Sequence, residues 1–154
     1  MPILKGRFAD GKPIVDVGLA PVLPSPGEVR PFAEPSSFQM TPLRALLDTG
    51  ADGTSITRQV ARSHNLTYMG LRAARGIGGR ERLPTWMTAL SFFYPEDADF
   101  EGDNHVTTNV FIFPRPLLAL EIRDFDEFDV IIGRDVLADY QFNSNKGDWQ
   151  LILA

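Results

Sequence analysis

Short runs of β-branched and aromatic residues, cut at close intervals by Gly, Pro, Asn and Asp, constrain this chain more than any other feature of its sequence. With 13 Gly and 12 Pro, little room is left for a long helix. Ile3 to Leu19 reads as two strands around a turn at Ala9-Asp10-Gly11-Lys12, and Leu43 to Leu47 as a buried strand. Ser55-Ile56 resumes strand after a tight loop, and a short helix is predicted near Arg58 to His64, capped by Thr57 or Ser63. Arg72 to Thr85 has the pattern of a hairpin with a glycine tip at Gly76-Ile77-Gly78-Gly79. Thr85 to Tyr94 and His105 to Phe113 are strands separated by an acidic loop, and Asp129 to Ile132 is a short buried strand. Arg134 to Ala138 is a helical turn, and Tyr140 to Asn143 with Trp149 to Leu153 form a closing hairpin around Asn145-Lys146-Gly147-Asp148. The expectation is a mainly β fold with one or two short helices.

A length of 154 residues suits a single domain spanning 1–154. Pro21 to Pro42 is expected to be a Pro-rich surface loop within that domain. A net charge of −5 argues against nucleic acid as a partner, since phosphate binding wants a basic face. The absence of cysteine rules out thiol catalysis and disulfides, and two histidines are too few for a histidine-rich metal site. No cofactor is therefore expected. Apolar runs such as Val110 to Phe113 and Val130 to Ile132 are far too short to span a bilayer. The amino terminus lacks the pattern of a secretory signal. A cytoplasmic protein with no membrane partner is the resulting expectation.

The chemistry concentrates in Leu43 to Ile56, where an apolar strand delivers Asp48-Thr49-Gly50 straight into a turn. Gly50 lets the backbone approach where a side chain would block it. Two such loops facing each other across a two-fold axis would bring two carboxylates about a hydrogen bond apart. Like charges that close cannot both ionise easily, so the pair shares one proton. One carboxylate can then deprotonate a water while the other protonates a peptide carbonyl.

This segment resembles the active-site loop of the retropepsins, the single-lobed, retroviral-type aspartic proteases. Two further landmarks follow in the family's order. Gly76-Ile77-Gly78-Gly79 is similar to the tip of the substrate-covering flap, and Val130-Ile131-Ile132-Gly133-Arg134-Asp135-Val136-Leu137 to the second signature, apolar residues and a glycine before a short helix. The resemblance spans Leu43 to Phe142. It implies a closed β-barrel or sandwich of the acid-protease type, with a flap hairpin at about 72–85. It also implies an aspartic endopeptidase acting on peptide or protein substrates. One Asp-Thr-Gly per chain implies a homodimer, with Asp48, Thr49 and Gly50 as catalytic residues. Ala51, Asp52, Gly76, Ile77, Gly78 and Gly79 become the substrate-binding set. Asp52 and Arg134 are expected to form a partly buried, bidentate ion pair bracing the loop, with a loss of about 3–5 kcal/mol if one partner is removed.

Competing readings are weaker. Fold does not guarantee activity, so a non-catalytic peptide-binding or dimerisation module of the same fold is the main alternative. A phosphate-cradling role for the glycine tip would need a following helix, and Arg80-Glu81-Arg82-Leu83-Pro84 does not supply one. Arg72, Arg75, Arg80 and Arg82 are read first as a solvated hairpin face, and as a preference for acidic substrates only second. Asp97, Asp99 and Glu101 imitate a calcium loop, but its closing position holds Thr108 rather than glutamate. Asp124, Asp126, Glu127 and Asp129 read as a charged turn, and Trp86 as a packing anchor. The Trp149 to Leu153 tail is compatible with pairing across a dimer or with closing its own chain's sheet. Ala51 stands where a serine would add a donor to the ionised carboxylate pair. Ala51→Ser is therefore expected to move the acid limb of the pH–rate profile to lower pH, and an unchanged profile would remove this role.

Overall fold

The computed structural model describes residues 2–22, 32–39, 41–76, 79–95 and 108–153. Eleven strands and two short helices follow one another in these segments. Strand β1 (Ile3–Arg7) is followed by β2 (Ile14–Ala20), β3 (Leu43–Leu47), β4 (Ser55–Thr57) and helix α1 (Arg58–Ser63). Next come β5 (Thr67–Gly76), β6 (Gly79–Pro95), β7 (Thr108–Ile112), β8 (Leu117–Ile122) and β9 (Val130–Ile132). Helix α2 (Arg134–Leu137), β10 (Gln141–Asn145) and β11 (Asp148–Ile152) complete the order. The mainly β expectation therefore holds. Thr57 does precede α1, but its side chain makes no capping bond. Among the described residues no helix is long and apolar enough to cross a membrane.

The larger sheet runs β2-β3-β9-β4-β8-β6-β5, and a further β2–β6 pairing brings the strand order back on itself. Strand β7 pairs with β6. Three features of this arrangement position the site. Strand β9 lies between β3 and β4, parallel to the first and antiparallel to the second. Strands β5 and β6 form a long hairpin whose register ends at Gly76 opposite Gly79. Strand β8, absent from the sequence reading, joins β4 to β6.

The hairpin is longer than the predicted Arg72–Thr85, and its register shifts between Tyr68 and Leu71. Pro84 sits opposite Leu71 and has no N–H to donate, so the ladder is interrupted there. Gly70, at φ +93°, makes the local kink, and the Thr85 hydroxyl donates to its carbonyl at 2.9 Å. The tip residues Ile77 and Gly78 lie outside the described residues.

A smaller sheet has the order β1-β11-β10. Strand β11 is its centre, pairing with β1 on one side and β10 on the other. The Trp149–Leu153 tail thus closes its own chain's sheet, and both edges of β11 are occupied. Trp149 lies across Gly6, where a Cβ would come within 2.5 Å of the indole ring. Leu4, Trp149 and Leu151 belong to the same apolar cluster as Val17, Phe92, Phe113, Val130 and Ile132, so one core joins both sheets. Burying each of the larger side chains contributes about 1.5–3 kcal/mol.

Within the described part of the Pro-rich stretch, a 3-10 turn at Pro35–Ser37 leads to a buried Phe38. Phe38 and Ala33 pack with Ala20 and Ala89, so this part of the stretch is anchored on the larger sheet while the residues between them are exposed or half-buried. Residues 23–31 and the acidic stretch with Asp97, Asp99 and Glu101 lie outside the described residues. The predicted charged turn does more than meet solvent. Asp124 accepts from the Gln59 N–H at 2.9 Å, Asp129 from the Arg44 N–H at 3.0 Å, and Glu127 from Lys12 at 2.6 Å. Contact with Lys12 holds the Glu127 carboxyl below the usual range.

Tyr140 fills an aromatic cluster, edge-on to Phe92, Phe111 and Phe113 with centroids 6.1–6.4 Å away. Burial, and then the neighbouring Asp139 charge, push its phenol from 10.0 to about 12, with Arg115 opposing. Ionisation is therefore harder in the folded chain than in the unfolded one. The resulting stability is complete below pH 10 and is lost as pH rises to about 12. An ultraviolet titration is expected to show a late tyrosinate step near the top of that window, absent in Tyr140→Phe, whose alkaline unfolding midpoint moves upward.

Candidate active site

Asp48 follows β3 directly and is half-buried, while Thr49 and Gly50 beside it are exposed. Its N–H donates to the Ile132 carbonyl at 2.9 Å, and its own carbonyl accepts from the Ala51 N–H at 3.2 Å. Carboxylate Oδ1 accepts the Gly50 N–H at 2.9 Å. A Cβ on Gly50 would stand 3.3 Å from that same oxygen, so glycine keeps the carboxylate uncrowded. The carboxylate is held by backbone, and its exposed neighbours are open to a facing molecule.

The loop from Asp48 to Thr54 keeps its shape because β9 separates the strands on either side of it. Beyond β9 the chain passes immediately under the loop. The Arg134 N–H donates to the Ala51 carbonyl at 2.8 Å. At Gly133 a Cβ would lie 2.5 Å from the Gly53 carbonyl oxygen and 2.8 Å from that of Ala51, so only glycine permits this approach. Thr54, 1% exposed, ties the two segments together. Its hydroxyl donates to Asp135 Oδ1 at 2.8 Å, and its N–H to Asp135 Oδ2 at 3.0 Å. The sequence reading did not single out this Thr54–Asp135 clasp. Its signal was the acid following Arg134, within a signature already noted, but nothing local showed which oxygen it would meet.

Arg134 donates through Nη2 to Asp52 Oδ1, so the expected partners do meet. The expected burial and bidentate geometry do not hold. A single nitrogen–oxygen contact joins side chains that are 59% and 88% exposed. Solvent screens such a pair, which lowers its worth to about 0–1 kcal/mol. Asp52 lies towards the end of the loop, where no element among the described residues covers it.

Next to the loop a groove of about 810 Å³ opens between three elements. Gly50 to Ser55 form its floor, Arg72, Ala73 and Ala74 of β5 one side, and Arg115 to Leu118 with Leu120 the other. Asp48 is adjacent to the floor in sequence. The aliphatic side comes from β8, which the sequence reading missed. Leu117 to Ile122 is apolar on both faces, with Leu118 exposed, so the alternation that marks a strand is blurred. Its signal was a short apolar run between Pro116 and Arg123.

Trp86 is not part of this groove. It packs edge-on against Tyr68 at 5.4 Å and donates to the buried Glu121 at 3.3 Å, which also meets Arg58 at 3.4 Å. That is the anchor role expected of it. Of the predicted substrate-binding residues, Ala51 and Asp52 line the groove. Gly76 and Gly79 end the hairpin arms.

A protein-family model described as aspartyl protease matches residues 36–136, more than half of the chain. Among solved structures the chain is similar to a retropepsin-like aspartic protease from Rickettsia conorii. The TM-score is 0.52 at 13% identity, over 97% of this chain and 91% of that one. It is also matched to an EIAV protease bound to an inhibitor, at TM-score 0.42 and 22% identity, over 83% and 86% of the two chains. No curated protein sequence matches.

The two supports of the loop separate by substitution. Gly133→Ala forces backbone apart and is expected to lower stability by about 1–3 kcal/mol. Arg134→Ala is expected to cost no more than about 1 kcal/mol. Thermal unfolding of the two variants beside the parent checks the order, and a larger loss for Arg134→Ala would contradict it.

Proposed function

The chain belongs to the aspartyl protease family and has the retropepsin-like fold, and from that premise we propose that it is an aspartic endopeptidase working as a homodimer. One observation carries the proposal. Asp48 is held by backbone hydrogen bonds, with Thr49 and Gly50 exposed beside it and Gly50, two residues on, lining the neighbouring groove. The other carboxylate of its loop, Asp52, is paired with Arg134, and a second copy would bring an equivalent of Asp48 as the partner for acid–base work.

In the proposed dimer the two Asp48 carboxylates meet at the symmetry axis and share one proton. The ionised member takes a proton from water, whose oxygen attacks the peptide carbonyl carbon. The protonated member gives its proton to the carbonyl oxygen, forming a neutral tetrahedral intermediate. Proton transfer to the nitrogen then breaks the C–N bond, giving an acid and an amine. Thr49 bonds across the axis to lock the loops, and the Gly50 N–H keeps each carboxylate oriented. Ala51 and Asp52 contact the substrate from below. The hairpin acts as the flap, with Gly76, Ile77, Gly78 and Gly79 offering backbone groups to an extended peptide from above. The whole chain serves as one subunit.

The occupied edges of β11 bear on how the copies join. That strand cannot insert into a partner's sheet without losing β1 or β10. In this reading the subunits meet through the Asp48 loops and other free edges rather than by exchange of the tail.

The test follows cleavage of a peptide library as subunit concentration is varied. Activity is expected to rise with the square of concentration below the dimer dissociation constant, and Asp48→Asn is expected to lose at least about a thousandfold in rate. Cleavage that persists in Asp48→Asn would sink the proposal. Peptide binding without turnover in the parent would favour the non-catalytic module.

A further inference from the structure

The groove beside the Asp48 loop carries four charged side chains, Asp52, Arg72, Arg115 and Asp135. Three of them are already engaged. Asp52 pairs with Arg134. Arg115 donates to Asp139 at 2.6 Å and to the Asp135 carbonyl at 2.7 Å. Both oxygens of Asp135 accept from Thr54. Arg72 has no ion-pair partner among the described residues.

The hairpin register separates Arg72 from the arginines that sequence groups with it. Arg72 stands opposite Leu83 and Ala74 opposite Glu81, whereas Arg82 stands opposite Ala73. Side chains alternate between faces, so Arg80 and Arg82 belong to the face away from Arg72. Glu81 shares its face but makes no ion pair with it. Across the groove, Pro116, Leu118 and Leu120 present aliphatic surface, with Leu118 38% exposed.

From this pairing of an unengaged guanidinium with an aliphatic wall, we propose that the groove receives an acidic side chain of an extended peptide, and that Arg72 selects it. Glutamate fits better than aspartate, because its longer methylene stem can lie along Leu118 and Leu120 while its carboxylate reaches the guanidinium. The paired groups add hydrogen bonds of the charge-assisted, bidentate kind. This assignment rests on the reading of the chain as a peptidase, since it names which peptides the groove prefers.

Two readouts keep that assignment distinct from the peptidase reading. One is cleavage by the parent of peptides carrying Glu, Asp, Gln, Lys or Leu at each position in turn. The other is binding of the same peptides to Asp48→Asn, which needs no turnover. At one position Glu is expected to exceed Gln about tenfold in both. Arg72→Gln is expected to remove that ratio and Arg72→Glu to move the preference to Lys, while Arg80→Gln and Arg82→Gln leave it intact. Arg72 is exposed, and unchanged melting of its variants certifies the fold. Binding that shows the Arg72-dependent preference without any cleavage would support the groove assignment while defeating the peptidase. Equal Glu and Gln at every position, a preference for Lys in the parent, or a ratio insensitive to Arg72 would overturn the groove assignment whether or not peptides are cut.

Discussion

Everything around Asp48 depends on the close passage of Gly133 beneath the loop. Strand β9 enters between β3 and β4, and the chain leaves it within van der Waals reach of the Ala51 and Gly53 carbonyls. Without a side chain at Gly133, the Arg134 N–H reaches Ala51 and Asp135 reaches Thr54. These bonds are shielded or short-range, so they resist water where an exposed ion pair does not. The loop is therefore shaped by backbone contact and a buried hydroxyl, with Asp52 and Arg134 adding little at its rim.

That division of labour has a functional consequence. Residues that shape the loop face inward, and this leaves Asp48, Thr49 and Gly50 on the side available to another molecule. The same geometry leaves the groove floor made largely of small residues, Gly50, Ala51, Gly53 and Ser55. In the proposed reading selectivity comes from the sides, where β5 supplies a cation and β8 an aliphatic surface. A groove built this way suits an extended chain, whose side chains alternate and whose backbone can bond to strand edges.

The smaller sheet shows how one strand's neighbours limit an assembly. Strand β11 buries Trp149 and Leu151 in the common core and uses both hydrogen-bonding edges within its own chain. An edge strand invites pairing, whereas a central one does not. The tail's sequence is equally suited to either place, since its burial pattern alternates in the same way at an edge or a centre.

Much of the fold was legible because its signals are local. The Leu43–Leu47 strand, the glycine-tipped hairpin, the Gly133–Leu137 turn and the closing hairpin each carry their own turn chemistry and period. Strand β8 was missed because its exposed Leu118 and half-buried Leu120 disguise the alternation, and both line the groove rather than the buried core. By itself the sequence determined the strand-rich architecture and the placing of Asp48-Thr49-Gly50 after an apolar strand, since both follow from near-neighbour sterics and patterning. Only the tertiary structure decided that Thr54 clasps Asp135, that the Asp52–Arg134 pair is exposed, that β11 is central, and that Arg72 stands apart from Arg80 and Arg82. Those outcomes depend on which distant strands become neighbours and on how much water remains between them, quantities that no local stretch of sequence encodes.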